Sequence, residues 1–175
     1  MKTTKEEWEA KLNNLHTRTK GISSEHQINY KSLLKKVFIG KKVLDVGCGT
    51  MWLKKLLPEF TIYYGLDAFK LPEHTPWEVI NEKIEELDLN HYCEKVETIF
   101  VFAALDGMEN LEIAFNKMKS ISEKNIVILT GVNIVPDIYH THLITEEFLD
   151  AQMEGWKKTT RVQVHPKIIF LEYTK

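Results

Sequence analysis

The spacing of apolar residues divides this chain into alternating helical and extended segments. Near the start, Trp8, Leu12 and Leu15 recur at helical spacing within residues 5–16. Ile28, Leu33, Leu34 and Val37 mark the buried side of a second helix over Ser24–Val37, and Gly21 separates the two. Lys42–Val46 is a short apolar run ending in a glycine-rich turn, the pattern of a buried strand. A helix is expected over Met51–Leu57, carrying Trp52, Leu53, Leu56 and Leu57 and stopped by Pro58. Thr61–Leu66, rich in β-branched and aromatic side chains, is a second strand.

Residues 68–77 contain Pro72 and Pro76, which argue against a full crossover helix before a third strand at Trp77–Ile84. Thr98–Ala104 is almost continuously apolar, as a central parallel strand covered on both faces should be. Leu111, Ala114, Phe115, Met118 and Ile121 define a helix, and Asn125–Thr130 another buried strand. Thr145 is placed to cap a short amphipathic helix over Glu146–Met153. Two final strands, Trp156–Val164 and Lys167–Tyr173, are joined at His165-Pro166, a link too short for a parallel crossover. These elements predict an α/β fold. Its doubly wound, mostly parallel seven-stranded sheet is Rossmann-like, with an antiparallel strand near the C-terminus.

Composition narrows the picture modestly. With 175 residues, 43% apolar and 27% charged, the chain has the size and make-up of one globular domain. Within it, residues 1–40 are expected to form an N-terminal helical lid and 41–175 a cofactor-binding core. No apolar stretch approaches the roughly 20 residues needed to span a bilayer, and Met1–Trp8 is charged, unlike a secretory signal. Cys48 and Cys93 provide neither a disulfide framework nor a zinc spacing. A reduced, cytoplasmic protein without a metal or a membrane partner is the expectation.

A net charge of −2 gives no case for a nucleic-acid partner. Residues 1–40 carry eight Lys/Arg against four Glu, whereas residues 71–124 carry five Lys against twelve Asp/Glu. The basic segment reads as a solvated helix face, with guidance of an anionic substrate as its functional counterpart. Nothing in the pattern specifies an oligomeric state.

The chemistry concentrates in Val43-Leu44-Asp45-Val46-Gly47-Cys48-Gly49-Thr50. In a doubly wound sheet the ligand lies at the carboxyl ends of the strands, where strand order reverses. Gly47 and Gly49 follow the first strand directly and permit close backbone approach. Asp45, just ahead of the turn, is suited to accept charge-assisted hydrogen bonds from an ammonium group or a water. Asp67 closes the second strand and is placed to accept both hydroxyls of a ribose, or else to serve as a turn residue. Dinucleotide binding would need a third glycine where Trp52 stands, so a bulky indole argues against a pyrophosphate.

These residues resemble the class I S-adenosylmethionine-dependent methyltransferases, in particular the small-molecule type. The likeness covers about residues 40–173 and is most specific in Val43–Thr50. Gly65-Leu66-Asp67 continues it, followed by Glu97–Asn110 with Ala114 and Met118, by Ile126–Val132, and by His142–Leu149. The resemblance implies S-adenosyl-L-methionine as cofactor. Gly47 and Gly49 would border its methionine moiety, Asp67 its ribose and Ala68 its adenine, with Phe102 or Ala103 below the sulfonium. Asp45, Cys48 and Ile84 complete the implied set.

The chain departs from the family's pattern at several points. Met51 stands where a third glycine is frequent, Lys83 where an acid usually meets the adenine, and Gly107 where His is common. The second crossover helix is nearly absent. The implied reaction is in-line transfer of a methyl group from a sulfonium to a small-molecule acceptor, catalysed mainly by alignment. Candidates for a general base are His140 and His142, in the segment after the fifth strand, and Asp106. The N-terminal segment either forms a lid that brings Trp8, His16, His26 and Tyr30 over the cofactor, Tyr30 as a pocket contact, or is a helix pair packed on the sheet edge for stability. The lack of an Asn-Pro-Pro-Tyr-type tetrapeptide after the fourth strand disfavours nucleobase amines as acceptors. The alternative reading is a catalytically degenerate protein of the same fold that senses the cofactor or binds a partner. Nucleotide-dependent oxidoreduction is a third.

Overall fold

The computed structural model describes residues 28–71, 74–88, 95–137 and 140–175. The helix expected at residues 5–16, Ser24 to residue 27 of the second helix, His16, His26 and Cys93 lie outside them. Helix α1 spans Tyr30–Leu34 and begins where the Asn29 side chain accepts the Ser32 N–H. It is therefore shorter than the periodicity suggested, because that cap fixes its start at Tyr30. Strands β1 (Lys42–Val46), β2 (Ile62–Leu66), β3 (Val79–Ile80), β4 (Val96–Phe102) and β5 (Ser122–Gly131) follow. Helix α2 (Leu111–Ile121) lies between β4 and β5, and α3 (Glu146–Gln152) precedes β6 (Lys157–His165) and β7 (Ile168–Thr174).

The seven strands form one sheet in the order β3-β2-β1-β4-β5-β7-β6. The first five in that order pair in parallel, and β7 runs antiparallel to both β5 and β6. Successive parallel strands step outward from β1 on one side and from β4 on the other, so strand order reverses between β1 and β4. The doubly wound α/β sheet with a late antiparallel strand is as expected. Helix α2 also matches, and Thr145 caps α3 by accepting the Phe148 N–H at 3.0 Å.

Two expectations are corrected. The segment expected to be a helix over Met51–Leu57 is a single 3-10 turn, Leu53–Leu56. Leu57 precedes Pro58 and is extended, which leaves too few residues for an α-helix to nucleate. The third strand is two residues long and not eight. It pairs with β2 only at Gly65 and Leu66, after which Lys83–Leu87 turns and buries Ile84 and Leu87 in the core. As the two prolines suggested, no helix occurs between β2 and β3 among the described residues.

Alternation along the strands builds a core on each face of the sheet. Leu44, Val46, Leu66, Val101, Ile126 and Ile128 pack against α2 and α3. Val43, Tyr63, Phe100, Phe102, Val127 and Phe170 pack against α1, Leu53 and Leu57. Below the first strand, Glu172 (4% exposed) accepts hydrogen bonds from the Phe38 N–H, the Asn125 amide and the hydroxyls of Thr159 and Thr160. That cluster ties the segment entering β1 to the sheet. No helix among the described residues is long and apolar enough to cross a membrane.

Candidate functional site

Backbone strain maps the candidate site. Among the described residues, the non-glycine residues with positive φ are Met51, Ala103 and Asn133, each at +54°. Ala103 and Asn133 follow the carboxyl ends of β4 and β5, and Met51 belongs to the loop after β1. Gly47 (φ +74°) and Gly49 (φ +48°) share that loop. Strained positions of this kind collect at ligand sites, and these line the carboxyl edge where strand order reverses. Gly47 is required twice over: a Cβ there would meet the Ala104 Cβ at 2.3 Å. The N–H groups of Gly47 and Cys48 both donate to the Leu66 carbonyl, at 2.7 and 3.2 Å, which binds the loop to the end of β2.

Gly49 is held from both sides. Its N–H donates to Asp67 Oδ2 at 2.8 Å, and its carbonyl lies 2.7 Å from His74 Nε2. Asp67 Oδ1 accepts the Phe69 N–H at 2.9 Å. The histidine tautomer follows from its neighbours. Asn81 Nδ2 lies 2.9 Å from the Phe69 carbonyl, so that nitrogen is the amide donor. It also lies 3.0 Å from His74 Nδ1, to which the Leu71 N–H points as well. Facing two donors, Nδ1 is unprotonated, and Nε2 carries the hydrogen donated to Gly49. His74 is 7% exposed, as is Asp67. A left-handed non-glycine residue such as Met51 costs about 1–2 kcal/mol. Two hydrogen bonds on Gly49, two residues earlier in the same loop, at about 1 kcal/mol each, are of the size to offset it.

Beneath the loop, Asp45 is 3% exposed and accepts the Tyr63 hydroxyl at 2.7 Å. Burial pushes its carboxyl up to about 7; the Tyr63 hydrogen bond opposes the rise and the Asp67 charge adds to it. The same burial and the nearby carboxylates raise the Cys48 thiol. Its sulfur lies 2.7 Å from where a Cβ on Gly65 would sit. An aromatic group closes this side: the Tyr30 and Trp52 rings are 4.6 Å apart, and Phe102 lies 6.3 and 6.2 Å from them.

The proposed bases occupy the neighbouring loops. Asp106 stands in a 3-10 turn, Leu105–Gly107, and its carbonyl accepts the Thr141 hydroxyl at 2.6 Å. His142 donates from Nε2 to the Met108 carbonyl at 2.6 Å, which fastens the post-β5 loop to the end of β4. Asp137 Oδ1 lies 3.1 Å from His140 Nδ1 and accepts the His140 N–H at 2.7 Å.

No protein-family model matches this sequence, and no curated protein matches it. Solved structures do match in three dimensions. A 1,6-didemethyltoxoflavin-N1-methyltransferase from Burkholderia thailandensis, with its substrate and S-adenosylhomocysteine bound, superposes with a TM-score of 0.71 at 13% identity. That match covers 99% of this chain and 91% of the other. A SAM-dependent methyltransferase from Aquifex aeolicus gives 0.68 at 15% identity, over 92% and 97%. A magnesium protoporphyrin IX methyltransferase from Synechocystis, with SAM bound, gives 0.57 at 14%, over 76% and 69%. The chain has the class I methyltransferase fold.

Within this methyltransferase fold, the residues singled out from sequence separate by location. Asp45, Gly47, Cys48, Gly49 and Asp67 converge on one loop, and Ala68 is exposed beside Asp67. Phe102 lies in the aromatic group, while Ile84 is buried in the larger core after β3. Lys83, at the position expected to carry an acid, pairs with Glu109 at 2.6 Å and with Glu86; the Glu109 hydrogen bond raises its pKa. His74, Asn81 and Tyr63 were missed. A histidine between two prolines and an asparagine after a strand have no spacing that links them to Gly49.

Proposed function

We propose that this protein transfers a methyl group from S-adenosyl-L-methionine to a small-molecule acceptor. The observation that carries the reading is the loop of Gly47 and Gly49 at the strand-order reversal, with the Asp67 carboxylate at the end of the next strand. The residues present suit the cofactor. Each Asp67 oxygen accepts one backbone N–H and keeps a lone pair for a ribose hydroxyl. The buried carboxyl of Asp45 would balance the cofactor's positive charge, and Gly47 and Gly49 would leave its methionine end room. Ala68 would flank the adenine, and Cys48 and Phe102 would complete the lining, whereas Ile84 is taken up by the core. The structural neighbours named for magnesium protoporphyrin IX and 1,6-didemethyltoxoflavin support an acceptor of small-molecule class.

The bound cofactor supplies a methyl group already activated on sulfur, so the chain's task is to align, to exclude water and to take a proton where the acceptor carries one. Tyr30, in the described part of a lid formed by residues 1–40, would exclude water together with Trp52 and Phe102. His140 is the best-placed base, because Asp137 holds its Nδ1 side and fixes the ring. His142 and the Asp106 backbone are engaged in tying loops together. A cytoplasmic location belongs to the same proposal.

Thermal unfolding with S-adenosylmethionine and S-adenosylhomocysteine tests the reading. A ligand at a hundred times its Kd stabilises by about 2.7 kcal/mol, a shift of several degrees. No shift with either at millimolar concentration would overturn it. Formation of S-adenosylhomocysteine with a panel of heterocyclic acceptors then tests transfer. A second reading, a cofactor sensor without turnover, draws on the strained Met51 at the loop's edge. Binding by both ligands with no transfer to any acceptor would favour it.

A further inference from the structure

We propose that His74 is a positioning residue that presets the cofactor loop. The inference rests on the methyltransferase reading for its ligand, but its geometry stands on the chain's own contacts. Gly49 is gripped by a side chain at each end of its backbone, by Asp67 at the N–H and by His74 at the carbonyl. A glycine left to itself samples left- and right-handed backbone almost equally. The path through Gly49 into Met51 is left-handed at both residues. A ligand that met a freely turning loop would have to order it on binding, and that cost would appear as weaker affinity. His74 removes the cost beforehand.

The grip works because the ring has a single competent protonation state. Asn81 is steered by the Phe69 carbonyl, which sets its amide N–H and not its carbonyl against Nδ1. Leu71 adds a second donor there at 3.3 Å. Nε2–H is thereby committed to Gly49. The segment between β2 and β3, which lacks a crossover helix among its described residues, thus does for the loop what a packed helix would otherwise do. Asp67 begins this segment, His74 lies within it and Asn81 directly follows β3, so one stretch of chain carries both the ribose-side carboxylate and the brace for the facing loop.

Calorimetric titration of S-adenosylhomocysteine into wild type, His74→Ala and His74→Gln tests the proposal, together with amide hydrogen exchange of each protein without ligand. His74→Ala is expected to weaken binding about tenfold. It should also speed exchange at Gly49–Met51 and Phe69, with protection in β4 and β5 unchanged. His74→Gln carries an acceptor and a donor on one planar group and should restore most of both losses. Wild-type affinity and protection in His74→Ala would overturn the proposal. So would equal losses in Ala and Gln, or lost protection throughout the sheet, which would mark a purely structural residue. If wild type binds no S-adenosyl ligand, the methyltransferase reading fails by itself. The exchange comparison then decides alone whether His74 holds the loop.

Discussion

The Tyr63 hydroxyl donates to Asp45 Oδ2 at 2.7 Å, joining neighbouring parallel strands directly beneath the glycine loop. This bond satisfies one oxygen of a carboxyl that burial otherwise keeps from ionising below pH about 7. Between its ordinary value of 3.8 and about 7, the folded chain holds a proton there that the unfolded chain has lost. The contribution to stability is therefore full below pH 3.8 and is lost as pH rises through 7, by up to about 4 kcal/mol. Asp45→Asn should flatten this slope and raise stability at pH 8 relative to wild type. Urea unfolding at pH 5 and pH 8 measures it; an unchanged slope would refute the assignment.

The same carboxyl gives the proposed ligand a signature. A cationic ligand favours ionised Asp45, so binding S-adenosylmethionine at pH 7 should release a fraction of a proton. Titration in two buffers of different ionisation enthalpy should give different apparent heats for wild type and equal heats for Asp45→Asn.

Met51 tests the loop's backbone. Met51→Val places a β-branched side chain at φ +54° and should cost about 1–2 kcal/mol. Met51→Gly relieves the strain while giving up the half-buried thioether, so its stability should stay within about 0.5 kcal/mol of wild type. Equal unfolding midpoints for Val and Gly would contradict the left-handed assignment.

Gly65 and Cys48 should be energetically coupled. A Cβ at Gly65 would lie 2.7 Å from the Cys48 sulfur and 3.1 Å from Val79 Cγ2. Gly65→Ala alone should destabilise by about 1–3 kcal/mol. Combined with Cys48→Ala it should cost at least 0.5 kcal/mol less than the separate losses summed, roughly the threshold for real coupling. Strict additivity in a double-mutant cycle would show that the crowding is relieved elsewhere.

His140 and His142 should diverge once an acceptor is known. Removing the Asp137-held ring by His140→Ala should lower kcat about 10²-fold or more for an acceptor that must lose a proton, and flatten the acid limb of its pH–rate profile. His142→Ala should instead cost about 1 kcal/mol of stability through the lost bond to Met108 and leave the profile's shape intact. Matching profiles in both variants would remove His140 as the base.

The sheet was legible because its central strands are apolar on both faces, and the single antiparallel strand followed from the short link at His165-Pro166. What escaped was set by contacts distant in sequence. The apolar residues Trp77, Val79, Ile80 and Ile84 look like one strand, yet Trp77 is exposed and Ile84 is drawn into the opposite core by a turn. Leu53, Leu56 and Leu57 suggest a helix, but Pro58 allows only one 3-10 turn. In the candidate site the glycines and carboxylates carried their own signal. His74 and Asn81 did not, because a tautomer-specific brace exists only once residues 67–81 have folded back onto Gly49.

Strand β7 has a consequence for how the chain is made. All seven of its residues pair with β5 on one side, and β6, which precedes it, can join the sheet only through it. Of the seven strands, the one that closes the sheet is therefore the last to be synthesised. Until β7 has been made, β5 presents an open apolar edge at Ile126–Leu129, a template for pairing with other chains. A stalled product ending before Ile168 would expose that edge permanently, a form for the cell's proteases to find.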